Sequence, residues 1–235
     1  MTVAPERTDE SLRAWGPAEA ARTADVVFAE VAARDLISPG RTECEVEARI
    51  AEVATEVFGH APQPARRIVR SGPHTVLPGG QEPPDRVIRQ DDIVVVDLGP
   101  FLAPHGIDAA RTFAFGRDTG RNRLVEDLWT LSDAARGAFL ADERVTGRQL
   151  HAAVRTLAAR AGWTLGTWHV GRLTGEAPGT DVPGLHLAPF VCPANDEPLR
   201  RSVRGGGEAH WILEIHLVDA YRGFGGSLKQ LLGTP

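Results

Sequence analysis

The apolar positions change period along the chain, and each change marks an element. From Pro17 to Asp35 the run PAEAARTADVVFAEVAARD is rich in alanine and apolar at Val26, Val27, Phe28 and Val31, a spacing that predicts a helix. Ser38-Pro39-Gly40 ends it. Thr42 followed by Glu45 is a capping box and opens a second helix to about Val57. Arg67 to Arg70 and Ile93 to Leu98 read as strands. The second, IVVVDL, is β-branched and bounded by Asp91-Asp92 and Gly99-Pro100. Turn chemistry fills Pro100 to Gly106, and the chain then returns as an antiparallel strand to Phe115. Two longer helices follow, about Arg121 to Ala141 and Gly147 to Ala161, the first with apolar spacing at Leu124, Leu128 and Leu131. From Gly162 onward glycine, proline and aromatics dominate, with strand-like runs near Trp168 to Leu173 and Trp211 to Val218. Helices and strands that do not alternate one for one predict an α+β fold rather than a doubly wound sheet.

Length and composition narrow the class. The 235 residues are 42% hydrophobic and 24% charged, an ordinary globular balance. The expected organisation is a flexible stretch over residues 1–15 and one domain over 16–235. A formal charge of −5 gives no reason to expect a nucleic-acid or membrane partner. No apolar run approaches the roughly 18 residues of a spanning helix. The first sixteen residues are polar and lack the apolar centre of a secretion signal, and Cys44 and Cys192 make no disulfide framework. A reducing, cytoplasmic setting is the expectation. Among 26 basic residues Lys229 is the one lysine, a bias typical of GC-rich coding. That solitary lysine is a candidate for chemistry that arginine cannot perform.

A few polar residues interrupt apolar strands and need explaining. Asp97 and Asp108 lie eleven residues apart, on two strands joined by a Pro/Gly turn, so they can face each other across a hairpin. Aspartate is disfavoured inside strands, and a half-buried carboxylate needs a partner. Metal bridging or proton handling would supply one; so would bonds to turn amides. Glu214 and His216, in WILEIHLV, share one face of a strand of large apolar side chains, either as a site or as a satisfied buried pair. His74 sits in the Gly/Pro loop SGPHTVLPGG, where histidines are enriched in sites but often merely exposed. His169, Arg172 and Glu176 fall in the glycine-punctuated stretch TWHVGRLTGEAPG, with Arg172 a natural carboxylate partner. Gly205-Gly206-Gly207 lacks the strand-before, helix-after context of a phosphate loop. No GxSxG, CxxC or HExxH occurs.

Together these segments resemble a known family. DDIVVVDLGPFLAPHGIDAARTFAFG is similar to the core signature of the pita-bread peptidases, the creatinase, prolidase and methionine aminopeptidase relatives. SGPHTVLPGG resembles their substrate-side loop, VGRLTGEAP their glycine-histidine stretch, and WILEIHLVDAYRGFGGSLKQLL their closing pair of glutamate strands. The resemblance runs from about residue 16 to 232. It implies a pseudo-two-fold α+β domain, with a pocket on one face of a curved antiparallel sheet, and a possible homodimer. It also implies a two-metal site of two Asp, one His and two Glu. Asp97 and Asp108 match the aspartates and Glu214 the first glutamate. The expected histidine falls on Arg172, and the expected second glutamate on Lys229. A further histidine of the substrate loop falls on Gly79 or is displaced to His74.

Charge counting follows from that correspondence. Three carboxylates and two cations leave the site at −1 without metal, whereas two added dications would bring it to +3. At about 4 Å and an effective dielectric near 20, each such repulsion costs about 4 kcal/mol. Arginine keeps its proton and is no ligand. The expectation is therefore no metal cofactor and a metal-independent enzyme acting on a small amino-acid-derived, guanidino or amide substrate. Lys229, with His74 or His169, would move protons among Asp97, Asp108 and Glu214. Arg172, with His216 and Glu176 near it, would hold a substrate carboxylate. Two other readings stand beside it. One is a metal-dependent aminopeptidase or Xaa-Pro dipeptidase, with one or two Mn, Co, Zn or Fe ions on Asp97, Asp108 and Glu214. The other is a non-catalytic binding protein.

Overall fold

A computed structural model of the chain describes residues 16–61, 67–77, 81–103, 106–174, 187–202 and 208–233. Helix α1 (Pro17–Ala33) starts on a proline at its first position and buries Ala20, Ala24, Val27, Phe28 and Val31 along one stripe. Helix α2 (Glu43–Phe58) is closed by the expected box: the Thr42 hydroxyl accepts from the Glu45 amide while the Glu45 carboxylate accepts from the Thr42 amide. Gly59, at φ 74°, ends it in the left-handed conformation that glycine adopts without strain. A second box, Thr146 with Gln149, opens α5 (Gly147–Arg160) after α4 (Thr119–Ala141).

The strands are β1 (Val69–Ser71), β2 (Ile93–Asp97), β3 (Ala110–Ala114), β4 (Thr164–Leu165), β5 (Gly171–Leu173), β6 (Trp211–Asp219) and β7 (Phe224–Leu232). They form one antiparallel sheet in the order β1-β2-β3-β7-β6-β4, with β5 also paired to β6. Helices α1 and α2 cover the first half through Val46, Ile50, Val94 and Val96. Helices α4 and α5 cover the second through Leu124, Leu128, Leu150, Leu213 and Ile215. Each half thus has its own core, and the opposite face of the sheet is left for polar residues. Among the described residues no helix is long and apolar enough to cross a membrane.

Several local expectations are corrected. The start of the stretch expected as turn, Pro100 to Gly106, belongs instead to the short helix α3 (Gly99–Leu102), and the loop around His74 is a 3-10 turn over Gly72–Val76. The strand expected over 168–173 is regular only from Gly171. Strand β7 is the second of the closing pair that the family resemblance implies, although Gly225 and Gly226, poor strand formers, hide it from the apolar pattern. Both glycines have a packing reason. A Cβ at Gly225 would lie 2.8 Å from the Leu217 carbonyl, and one at Gly226 would lie 2.5 Å from a Leu124 methyl. Residues 1–15, Gly79, Glu176 and Gly205–Gly207 lie outside the described residues.

The two halves meet where β3 crosses to β7, and the register there pairs Ala110 with Lys229. Side chains extend this junction. Arg111 donates to the carbonyl of Lys229 at 2.8 Å and lies over the rings of Phe28 and Trp129 while pairing with Asp25. The Thr112 hydroxyl donates to the Ser227 carbonyl at 2.7 Å and accepts from the Ser227 amide at 2.8 Å, acting as a rung of the ladder. Thr112→Val is isosteric but strands both backbone groups of Ser227. It is expected to cost about 2 kcal/mol in urea unfolding, and an unchanged midpoint would show that the hydroxyl does not hold the halves together.

Candidate active site

Alternation along the strands decides which residues share the helix-free face. Val94 and Val96 enter the core beneath α1 and α2, so Val95 and Asp97 point the other way. Cross-strand register carries that face across the sheet: Arg70 opposite Val95, Asp97 opposite Ala110, Ala110 opposite Lys229, Lys229 opposite Glu214, and Arg172 opposite Ile212. Asp97, Glu214, Lys229 and Arg172 therefore arrive from four strands on one side. Asp108 precedes β3 and joins them.

The lysine stands among the acids. Its Nζ lies 2.9 Å from Asp97 Oδ2, 3.1 Å from Asp108 Oδ2 and 3.7 Å from Glu214 Oε1. The same Asp108 oxygen accepts from Arg172 Nη2 at 2.9 Å, and Asp108 and Arg172 are 1% and 5% exposed. Asp97 spends its other oxygen on the Gly99 amide, at the first residue of α3. Glu214 Oε2 is buried and has no hydrogen-bond partner among the described residues. Three carboxylates within 4 Å hold Lys229 as an ammonium, a proton donor rather than a free amine. Arg172 is committed to Asp108 and buried, so it orders that carboxylate instead of standing open as a clamp. Among the described residues no three His, Cys, Asp or Glu side chains gather as a metal site would require.

The histidines are placed apart from one another. His74 Nδ1 lies 2.9 Å from a carboxylate oxygen of Glu43, a fully buried residue that also accepts from the amide and hydroxyl of Ser71. Arg86 and Asp92 continue this network. It serves the junction of α2 with β1. His216 shares the face of Glu214, but its Nε2 donates to the Thr75 carbonyl at 2.8 Å and so pins the 3-10 turn to the sheet. Burial pushes the His216 pKa down, which keeps the ring neutral. His169 is buried against the rings of Trp168 and Phe190 beside β5.

One residue of this face has no counterpart in the sequence reading. Arg70 shares the side of Asp97, and its guanidinium donates to the carbonyls of Leu77 and Gln81, one on each side of the stretch holding Gly79. Its charge also reaches His216. A charged residue inside the strand Val69-Arg70-Ser71 was the available signal. With Arg70 the face holds three carboxylates and three cations, a neutral set.

Removing the ammonium tests that balance. Lys229→Met leaves three carboxylates on this face against two guanidiniums, of which only Arg172 pairs with one of them, and is expected to lower stability by about 3–5 kcal/mol at pH 7, read by denaturant unfolding. A loss below about 1 kcal/mol would mean that the acids are compensated from elsewhere.

The family model "Metallopeptidase family M24" matches residues 18–202. A protein named probable dipeptidase PepE, from Mycobacterium tuberculosis, is 37% identical over 186 residues, covering 76% of this chain and 46% of that protein. The crystal structure of dipeptidase PepE from Mycobacterium ulcerans superposes with a TM-score of 0.65 at 28% identity, over 96% of this chain and 55% of that one. Methionine aminopeptidase from Thermotoga maritima shares the fold, with a TM-score of 0.58 at 18% identity over 90% and 86% of the two chains. The chain thus spans about half the length of the PepE relatives it matches. The antiparallel sheet, its two helix-covered halves and the acids where β3 meets β7 have the same explanation: this chain belongs to metallopeptidase family M24, with the pita-bread fold.

Proposed function

We propose that this domain cleaves a C–N bond in a small amino-acid-derived amide without a metal ion. The observation that carries the reading is the Lys229 ammonium, within 4 Å of Asp97, Asp108 and Glu214 at once. The family to which the chain belongs supports a hydrolase, and relatives that it resembles are named dipeptidases.

A pair of divalent ions does not fit this donor set. Arg172 and Lys229 are fixed cations touching the acids that would be ligands, and an arginine offers no lone pair to an ion. Displacing the ammonium would put its charge and those of the ions into one buried volume at several kcal/mol per contact.

The residues present supply an acid and a base of their own. Glu214 Oε2, lacking a partner among the described residues, takes a proton from the attacking water as the oxygen adds to the carbonyl carbon. Lys229 donates a proton to the departing nitrogen as the C–N bond breaks. The proton on Glu214 then returns to Lys229, whose Nζ is 3.7 Å from the neighbouring oxygen of the same carboxylate. Asp97 and Asp108 hold the ammonium in place, and Arg172 fixes Asp108. His74 and His216 have structural partners and take no step.

The purified protein is expected to contain no stoichiometric Mn, Fe, Co or Zn by elemental analysis, and to hydrolyse members of a panel of dipeptides and N-acyl amino-acid amides at rates indifferent to EDTA. Lys229→Arg keeps the charge but donates poorly as an acid, and is expected to lower kcat by about 100-fold or more while leaving KM within a few-fold. Two tightly held ions per chain, or activity abolished by EDTA and restored by Mn or Co, would replace this reading with a metal-dependent one. A folded protein inert toward the whole panel would favour a binding role.

A further inference from the structure

The residues beside Arg172 form an aromatic group that belongs to neither helix-covered core. Val170 and Val191 pack into the core beneath α4 and α5. The backbone bridge pairs Phe190 with Arg172, and bridged residues of an antiparallel pair project to one side, so Phe190 lies on the face of the charged group. Phe190 is only 3% exposed, yet it joins neither core cluster. What buries it includes Trp168, with ring centroids 4.8 Å apart, and His169 at 5.2 Å. Trp168 in turn meets His169 edge to face, 4.7 Å away at 84°. The indole is thereby held from two sides while 39% of the residue stays open. Leu187, also 38% exposed, begins the turn that brings Phe190 into place.

Other exposed apolar residues have different settings. Trp129 is on the helix side and is taken up by Arg111, while Tyr221, 98% exposed, occupies the β6–β7 hairpin tip. Trp168 combines partial exposure, a rigid aromatic backing and a link through Phe190 to the strand that carries Arg172. A large apolar ring fixed at low entropic cost is suited to receive another ring by offset or edge contact.

We propose that Trp168, backed by Phe190 and His169, is the platform that binds an aromatic side chain of the ligand, so that the amide taken by this face is that of an aromatic amino acid. The inference rests on the helix-free face being the ligand site proposed above, and it adds a specificity that the charged group alone does not provide. His169 serves as backing for the indole, a positioning part distinct from the acid and base.

The test uses N-acetyl-L-phenylalanine amide and N-acetyl-L-alanine amide, with binding read by calorimetry or saturation-transfer NMR and turnover read separately. The intact protein is expected to bind the phenyl compound about tenfold or more tighter than the methyl one. Trp168→Ala should abolish that preference by weakening only the phenyl compound, and Trp168→Phe should retain most of it. Equal binding of the two compounds by the intact protein, no binding of either, or a preference unchanged in Trp168→Ala would each overturn the proposal. A preserved phenyl preference without turnover would count against the hydrolase reading and leave the platform standing.

Discussion

A protonated amine held between three carboxylates sets the terms for this fold's polar face. Asp108 is almost wholly buried and shares one oxygen between Lys229 and Arg172. Without those cations its desolvation would be uncompensated, and an isolated buried carboxylate costs several kcal/mol. Asp97 reaches the Lys229 nitrogen from β2, across β3, and Glu214 reaches it from β6 on the other side of β7. Three strands and the segment leading into β3 thus converge on a single atom, at the point where the two halves join. Arg70 completes the balance from the far strand.

The same junction fixes the main chain that carries the lysine. Its backbone carbonyl is held by Arg111, whose guanidinium is itself fixed between Phe28 and Trp129, and the neighbouring rung is closed by Thr112. Residues on the helix side therefore position the main chain from which Lys229 projects to the opposite side. Precision of this kind, a first layer supported by a second, is what an acid needs if it is to meet a departing nitrogen.

Much of this was legible from residues alone. The capping box at Thr42, the leucine spacing of α4 and the β-branched run before Asp97 each act locally, and each predicted element exists. Anomalous charges in apolar strands pointed to Asp97, Asp108 and Glu214, and the family resemblance placed Arg172 and Lys229 beside them. What stayed hidden depends on long-range contact. Strand β7 contains two glycines whose use is close packing against β6 and α4, invisible without those partners. Glu43, an acid in the first turn of α2, is fully buried and takes up His74, which only its contacts with β1 and the 3-10 turn make visible. Arg70 lay in a strand whose two faces could not be assigned before its register with β2 was known. The role of Trp168 likewise needed the bridge from Arg172 to Phe190, which spans residues that are not adjacent in sequence.

The central claim is that Arg172 and Lys229 occupy the places of metal ligands and do so electrostatically. It is tested most directly by the double variant Arg172→His/Lys229→Glu, dialysed against cobalt or manganese beside the unaltered protein and analysed for bound metal, with folding checked by circular dichroism. The account predicts about two ions per folded chain in the variant, where five ligands and balanced charge are restored, and none in the unaltered protein. Stoichiometric metal in the unaltered protein, or none in a folded variant, would contradict it.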